Sequence, residues 1–398
     1  MDGRRIFANV VLCALAASIS LGPVFADESG SSGPTAIGVG AQIFADPGIS
    51  ASGVLACATC HDPANADAKS NDLPVQLGGA NRNVPGFRAV PSLRYVNFTP
   101  KFAFDEEGTP VGGFDRDGRA SDLMTQAMRP LFSAREMANE NIEALVGRLA
   151  GARYAGEFRA VFGQRIFDDH DATLRALVFA LSQYEKFDPD FQPFDSKYDE
   201  FLRGSVRLAP AELRGLALFN RADKGNCAAC HPSGRGHSGE LPLFTDFSYD
   251  NLGVPRNPRI PATQEASYFD LGLCGPFRTD LANRTDLCGA FKVPTLRNVA
   301  TRRVFFHNGR FITLRDALRF YVRRDTGATA FYPVAAGGTV EKFDDLPAEL
   351  AGNVNTAEVP YDRKPGEAPR LSDDEIADLE AFLNTLTDGY RLPSNQRK

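Results

Sequence analysis

The chain has 398 residues, with 44 Lys and Arg against 50 Asp and Glu, a formal charge of −6 at neutral pH. That balance gives no support to nucleic-acid binding, which needs clustered positive charge. Seven cysteines, five histidines, four methionines and no tryptophan narrow the available chemistry further.

At the N-terminus, Arg4 and Arg5 precede an apolar run from Ile6 to Leu21. Gly22-Pro23-Val24-Phe25-Ala26 follows, with small residues at its last and third-last positions. Residues 1–26 therefore read as a cleaved secretory signal. The run is short and rich in Ser and Ala for a retained span, so the mature protein is expected to have no membrane span. Leu12 stands before Cys13 where a lipoprotein signal would want a small residue. Cleavage discards Cys13 and leaves a formal charge of −7 after loss of Asp2, Arg4 and Arg5. The remaining length suits two domains, each able to bury its own core. Residues 27–34 are Gly- and Ser-rich and read as a disordered linker, with order expected from about Thr35.

Two pentapeptides carry the chemistry: Cys57-Ala58-Thr59-Cys60-His61 and Cys227-Ala228-Ala229-Cys230-His231. Each places two thiols and an imidazole at the spacing that attaches haem c covalently, with His61 and His231 as the proximal iron ligands. A zinc or thioredoxin-type CxxC does not require a histidine directly after the second cysteine. Two covalently bound haems follow. A short helical pattern precedes each motif, Ile37 to Phe44 and Ala211 to Phe219, each ending in Phe. Each half also closes with an amphipathic helix. Leu174, Leu177, Val178, Leu181 and Tyr184 share a face in the first; Ile376, Leu379, Phe382, Leu383 and Leu386 do so in the second. Ser372 and Glu375 are spaced as a capping box at the start of the last helix. The long segments Asp62 to Gly113 and His231 to Arg278 are rich in Gly, Pro and Asp and hold no period, so they read as loops wrapped over haem. The expected fold is mostly α, two cytochrome c-like haem domains with long irregular loops, spanning 35–195 and 196–398. Cys274 and Cys288 remain as a pair, expected to form a disulfide in an oxidising compartment. Covalent haem, export and that pair together point to the periplasm.

The methionines are Met1, Met124, Met128 and Met137, so none lies beyond the second motif. The second haem therefore has no Met ligand in its own half, and His237, His307 and a tyrosine are the local candidates. Thr313 and Asp316 are cap partners of a helix that puts Leu314, Ala317, Leu318 and Tyr321 on one stripe. An aromatic residue on such a stripe commonly just packs, so these residues alone leave Tyr321 open as ligand or core. Between His61 and His170 there is no histidine. The first haem then has an open sixth position that could take peroxide. Peroxide chemistry also needs an acid/base group. Glu136 and Gln126 are suitable types, though either alone is more often a solvated helix residue.

These features resemble the bacterial dihaem cytochrome c peroxidase superfamily, in its MauG/MbnH-like branch. Beside the two motifs, the resemblance rests on Pro193-Phe194-Asp195-Ser196-Lys197-Tyr198-Asp199, on Phe291-Lys292-Val293-Pro294-Thr295-Leu296-Arg297-Asn298 and on His307-Asn308-Gly309. Leu271-Gly272-Leu273-Cys274-Gly275-Pro276 is similar to the MbnH-like members. The resemblance implies Tyr321, fourteen residues after His307, as the second haem's distal ligand. It also implies Gln126 and Glu136, with Pro130, on the distal side of the first, counted from Asp117-Gly118-Arg119. Two positions depart from the family. Arg116 stands where a tryptophan usually lies between the haems, so electron sharing would pass through Phe114, a tyrosine or direct haem contact. Ala89 stands at the Asn that holds a bridging calcium, and Arg302 and Arg303 bring positive charge to two carbonyl donors. Calcium would then rest on backbone, water or Asn83.

The function implied is that of a periplasmic dihaem c-type oxidoreductase. It would use hydrogen peroxide, through a bis-ferryl state, to oxidise an aromatic residue of a partner protein. The alternatives are a dihaem cytochrome c peroxidase fed by a small redox protein, and a non-enzymatic dihaem electron carrier.

Overall fold

The computed structural model describes residues 33–392; the signal segment 1–26 and nearly all of the linker 27–34 lie outside them. Among the described residues, ten α-helices are joined by long irregular segments, 3-10 turns and three two-stranded antiparallel ribbons, so this part is rich in helix and poor in sheet. The helices are α1 (Ala36–Ala45), α2 (Cys57–Cys60), α3 (Leu123–Phe132), α4 (Ile142–Ala150), α5 (Ala155–Phe162), α6 (His170–Phe187), α7 (Lys197–Leu202), α8 (Pro210–Asn220), α9 (Leu314–Arg323) and α10 (Asp373–Asn384). Ribbons pair β1 (Leu77–Gly78) with β2 (Val84–Pro85), β3 (Ala103–Phe104) with β4 (Pro110–Val111), and β5 (Tyr249–Asp250) with β6 (Phe291–Lys292).

The two halves repeat one packing device. In each, the helix before the CxxCH motif crosses the closing helix at a glycine. A Cβ on Gly40 of α1 would stand 2.1 Å from the Ala180 carbonyl oxygen of α6. One on Gly215 of α8 would stand 2.0 Å from that of Asp378 on α10. Only glycine allows this approach. The last phenylalanine of each leading helix then enters an aromatic cluster. Phe44 lies 5.5 Å from Tyr184 and 6.0 Å from Phe191, and Phe219 lies 5.2 Å from Phe382 and 6.1 Å from Phe244. The edge-on geometries suit the aromatic quadrupoles.

Helix ends follow local capping chemistry. Thr35, Asp122, Asn141, Asp169 and Thr313 each accept a backbone N–H of the first turn of their helix, and Ser372 and Glu375 form the expected reciprocal box. One hydrophobic cluster draws on Val39 to Phe191, a second on Tyr198 to Leu386, and a third gathers Val254, Phe305, Phe311, Ala317, Phe320 and Tyr332. Cys274 and Cys288 are joined as a disulfide. No helix among the described residues is long and apolar enough to cross a membrane.

Candidate haem and peroxide site

Both CxxCH segments are short turns that bring three donors to one side. At the first, the Thr59 hydroxyl accepts the Ala56 N–H at 2.9 Å, and the His61 N–H closes the turn on the Cys57 carbonyl at 2.9 Å. At the second, Asn226 takes a left-handed conformation (φ 51°) to enter the turn, and the His231 N–H bonds the Cys227 carbonyl at 2.8 Å. Each imidazole is then oriented from behind. Nδ1 of His61 lies 3.3 Å from the Asp67 carbonyl and Nδ1 of His231 lies 2.7 Å from the Phe244 carbonyl. Such a bond fixes the tautomer and turns Nε2 forward as a donor to a metal. Burial lowers the His61 pKa to about 4 and lowers that of His231 as well, so both rings are neutral at pH 7.

The thiols argue against redox or zinc use. Burial pushes Cys57, Cys227 and Cys230 up to about 12 and raises Cys60, the reverse of a reactive thioredoxin-type cysteine. No group of three or more His, Cys, Asp or Glu able to hold a metal ion occurs among the described residues. Two thiols and one outward imidazole at each turn form the donor set that suits a covalently held haem. A cavity of about 340 Å³ fits that purpose at the second turn: Cys227, Cys230, His231 and Tyr321 line it, together with Phe114 and Gln126.

Tyr321 projects from α9, whose start is fixed by the Thr313 hydroxyl accepting the Asp316 N–H at 3.1 Å. Its ring stands 5.6 Å from Phe306 and 6.4 Å from Tyr361, and its hydroxyl has no hydrogen-bond partner among the described residues. Burial raises its pKa, and negative charge on Asp250, Cys227 and Cys230 raises it further, which places the phenol within electrostatic reach of both thiols. Of the competing histidines, His307 lines the same cavity and His237 does not. His237 is exposed on a loop. His307 stacks on Phe291 at 3.8 Å, and its Nε2 is 3.7 Å from an Asp345 oxygen. That distance permits charge attraction but is too long for a hydrogen bond, and Nε2 has no such bond.

On the other side, Gln126 lies on α3 one turn before Pro130. Proline has no N–H, so the Gln126 carbonyl loses its helical partner at that point. After α3, the Glu136 N–H bonds the Ser133 carbonyl at 2.9 Å and the Glu136 carbonyl accepts the Gly79 N–H at 2.9 Å. A Cβ on Gly78 would stand 2.0 Å from the Arg135 carbonyl oxygen, so the β1 ribbon presses directly on the segment that carries Glu136. The Glu136 side chain is exposed by area, yet desolvation by the surrounding protein is the first cause raising its pKa. Its charge in turn raises Cys57 and Cys60, so the carboxyl lies within electrostatic reach of the first motif.

Two features were not anticipated from the sequence. Glu185 on α6 is 4% exposed with Oε2 unpartnered, and burial pushes its pKa up to about 8. It lies four residues after Leu181 on the apolar stripe, and a charge on such a stripe was the available signal. Tyr361 donates to an Asp250 oxygen at 2.7 Å beside Tyr321; it lies in no motif, and only the tertiary fold brings it there. At the position where the resemblance implies calcium, the Ala89 carbonyl instead accepts Arg116 Nε at 2.9 Å, and Asn83 is exposed.

Comparison with known proteins agrees with this donor set. The family described as "Di-haem cytochrome c peroxidase" matches residues 34–207. The methylamine utilization protein MauG of Paracoccus denitrificans is 36% identical over 358 residues, 88% of each chain. The cytochrome c551 peroxidase of Nitrosomonas europaea is 27% identical over 292 residues, 70% of each. Among solved structures, the diheme peroxidase BthA from Burkholderia thailandensis superposes with a TM-score of 0.82 at 37% identity, covering 92% of this chain and 88% of that one. The chain therefore belongs to the di-haem cytochrome c peroxidase family, in its MauG-like branch, and is a haem-dependent peroxidase.

Proposed function

We propose that the mature protein, residues 27–398, works in the periplasm and uses hydrogen peroxide to oxidise an aromatic side chain of a partner protein. The two haems, held through Cys57, Cys60 and His61 in the domain 35–195 and through Cys227, Cys230 and His231 in the domain 196–398, would supply peroxide activation and storage of the oxidising equivalents. The protein's own residues divide the remaining work. Glu136, with its carboxyl pKa raised by burial, takes a proton from the proximal oxygen of peroxide and returns it to the departing one. Gln126, which lines the internal cavity, orients the peroxide by hydrogen bonding. Tyr321 offers a phenol oxygen without a competing hydrogen bond to the second metal, and an anionic oxygen donor favours its higher oxidation states.

One observation carries this reading: the two CxxCH sites face different chemistry. The first faces a carboxyl, the second a phenol. An electron carrier has no use for the carboxyl. A peroxidase fed by cytochrome c usually has a Met-ligated high-potential haem, and every methionine here lies at or before Met137. A partner aromatic residue is too large to enter the haem hollow as part of a folded protein, so its oxidation would run across an interface. Similarity to MauG and to BthA supports the same choice.

The test is incubation of the haem-loaded protein with peroxide and the protein encoded by a neighbouring gene, followed by mass analysis of that protein. The expected result is added oxygen or lost hydrogen on one aromatic residue. No modification, together with rapid peroxide turnover on reduced cytochrome c, would establish the cytochrome peroxidase reading instead.

A further inference from the structure

Three cations converge between the two motifs, and none has a carboxylate within ion-pair distance among the described residues. Arg116 donates Nε to the Ala89 carbonyl at 2.9 Å, and Arg302 donates Nη2 to the adjacent Val90 carbonyl at 2.7 Å. Lys292 donates Nζ to the Gly113 carbonyl, and its backbone N–H bonds the Arg116 carbonyl at 2.9 Å. All three line the cavity beside the second motif, and Arg302 also lies within electrostatic reach of His61 in the first. Arg88 nearby shows the ordinary alternative, since it is neutralised by Asp117 at 2.8 Å and Asp270 at 2.6 Å.

Enclosed like charges are costly unless an anion joins them. A backbone carbonyl satisfies one N–H but brings no charge, and a guanidinium has five N–H donors. The donors left over on Arg116 and Arg302 are those suited to a carboxylate in bidentate or bridging geometry. Haem brings two propionate carboxylates; the second attachment turn opens on this cavity, and the cavity wall at Pro91 and Arg302 adjoins His61 of the first.

We propose that Arg116, Arg302 and Lys292 form a shared carboxylate cradle that binds propionates from both haems. The proposal rests on the reading that both motifs carry haem. It gives the junction a fixed positive charge in place of an aromatic bridge, and so assigns Arg116 a role that neither the motifs nor the relatives' names supply. A fixed cation close to two redox centres favours their reduced forms, so loss of one cation makes the neighbouring centres harder to reduce.

Spectroelectrochemical titration of the purified holoprotein tests this, with haem stoichiometry measured on the same samples. The wild type is compared with Arg116→Gln, Lys292→Gln and Arg116→Lys; the Lys292 variant covers the case in which Arg116→Gln does not fold. With two haems bound, the Gln variants are expected to show a negative shift of at least one midpoint. Arg116→Lys should recover most of it, and the wild-type midpoints should be insensitive to added chloride or phosphate. Wild-type midpoints in both Gln variants at full haem content would overturn the cradle alone. So would a saturable dependence of the wild-type midpoints on added anion, which would make the cluster a free-anion site. A wild-type stoichiometry below two would sink the two-haem reading, and the cradle with it.

Discussion

The catalytic role proposed for Glu136 depends on the surroundings of a single side chain. Its carboxyl is held by a turn anchored on Ser133 and Gly79, lies within electrostatic reach of the first motif, and is kept more basic than an ordinary glutamate by desolvation. Glu136→Gln preserves shape and removes the proton carrier. Stopped-flow absorbance should show the reaction with peroxide slowed by about 10²-fold or more at unchanged haem content; an unchanged rate would remove Glu136 from the mechanism. Glu185 makes a different prediction, about stability. Burial pushes its folded pKa up to about 8, above the 4.5 of an ordinary glutamate. Between those values the folded chain holds a proton that the unfolded chain has lost. Stability from this group is therefore complete below about pH 4.5 and falls by about 1.4 kcal/mol per pH unit until about pH 8. Glu185→Gln should flatten the decline in melting temperature from pH 6 to 8.5, and a parallel decline in both proteins would contradict the assignment. At this scale the sequence was informative where chemistry is local. The haem-binding triads are contiguous, and the thiols and imidazole of each are together in space because one turn suffices. Tyr361 and Glu185 were missed because their roles depend on what packs against them.

Among the elements, helices with a clear apolar stripe or leading pattern were readable: α1, α6, α8, α9 and α10 lie within a few residues of their expected positions. The short helices α4 and α5 were not read. The first is nine residues and the second eight, and α5 starts at Tyr154 without a side-chain cap, so neither carries a strong signal alone. The glycines at helix crossings were also silent, since a glycine in a helical pattern does not announce its neighbour. Gly78 offers the sharpest test of an element acting on the site. Gly78→Ala places a methyl against the Arg135 carbonyl, which neither backbone can relieve by a rotamer change. The variant should lose on the order of 1–3 kcal/mol in chemical denaturation. Its peroxide reaction should slow with the displacement of Glu136. Full stability with full activity would show that the ribbon does not brace the carboxyl.

Across the whole molecule, the halves are tied by charged groups far apart in sequence. Arg88 bridges Asp117 and Asp270, and Arg94 links Asp67, behind His61, to Asp388 near the C-terminus. Tyr95 also donates to Asp388 at 2.8 Å, and Arg297 lies over the Tyr95 ring while pairing with the fully buried Asp199. Such partners cannot be inferred from composition or spacing, because the closing loops are long and aperiodic. Arg88→Met leaves Asp270 buried without its cation, while Asp117 keeps Arg119 at 2.8 Å, and should cost about 3–5 kcal/mol, measured by urea unfolding. A cost under about 1 kcal/mol would show the pairing to be incidental.

The central claim is the difference between the two haem environments, open beside Glu136 and closed by Tyr321. Electron spin resonance of the ferric protein, wild type and Tyr321→Phe, reads that difference directly. The wild type should give one high-spin and one low-spin signal, and the variant should lose the low-spin signal together with the near-infrared absorption that peroxide produces. Two low-spin signals in the wild type, or a variant with an unchanged spectrum, would contradict the account.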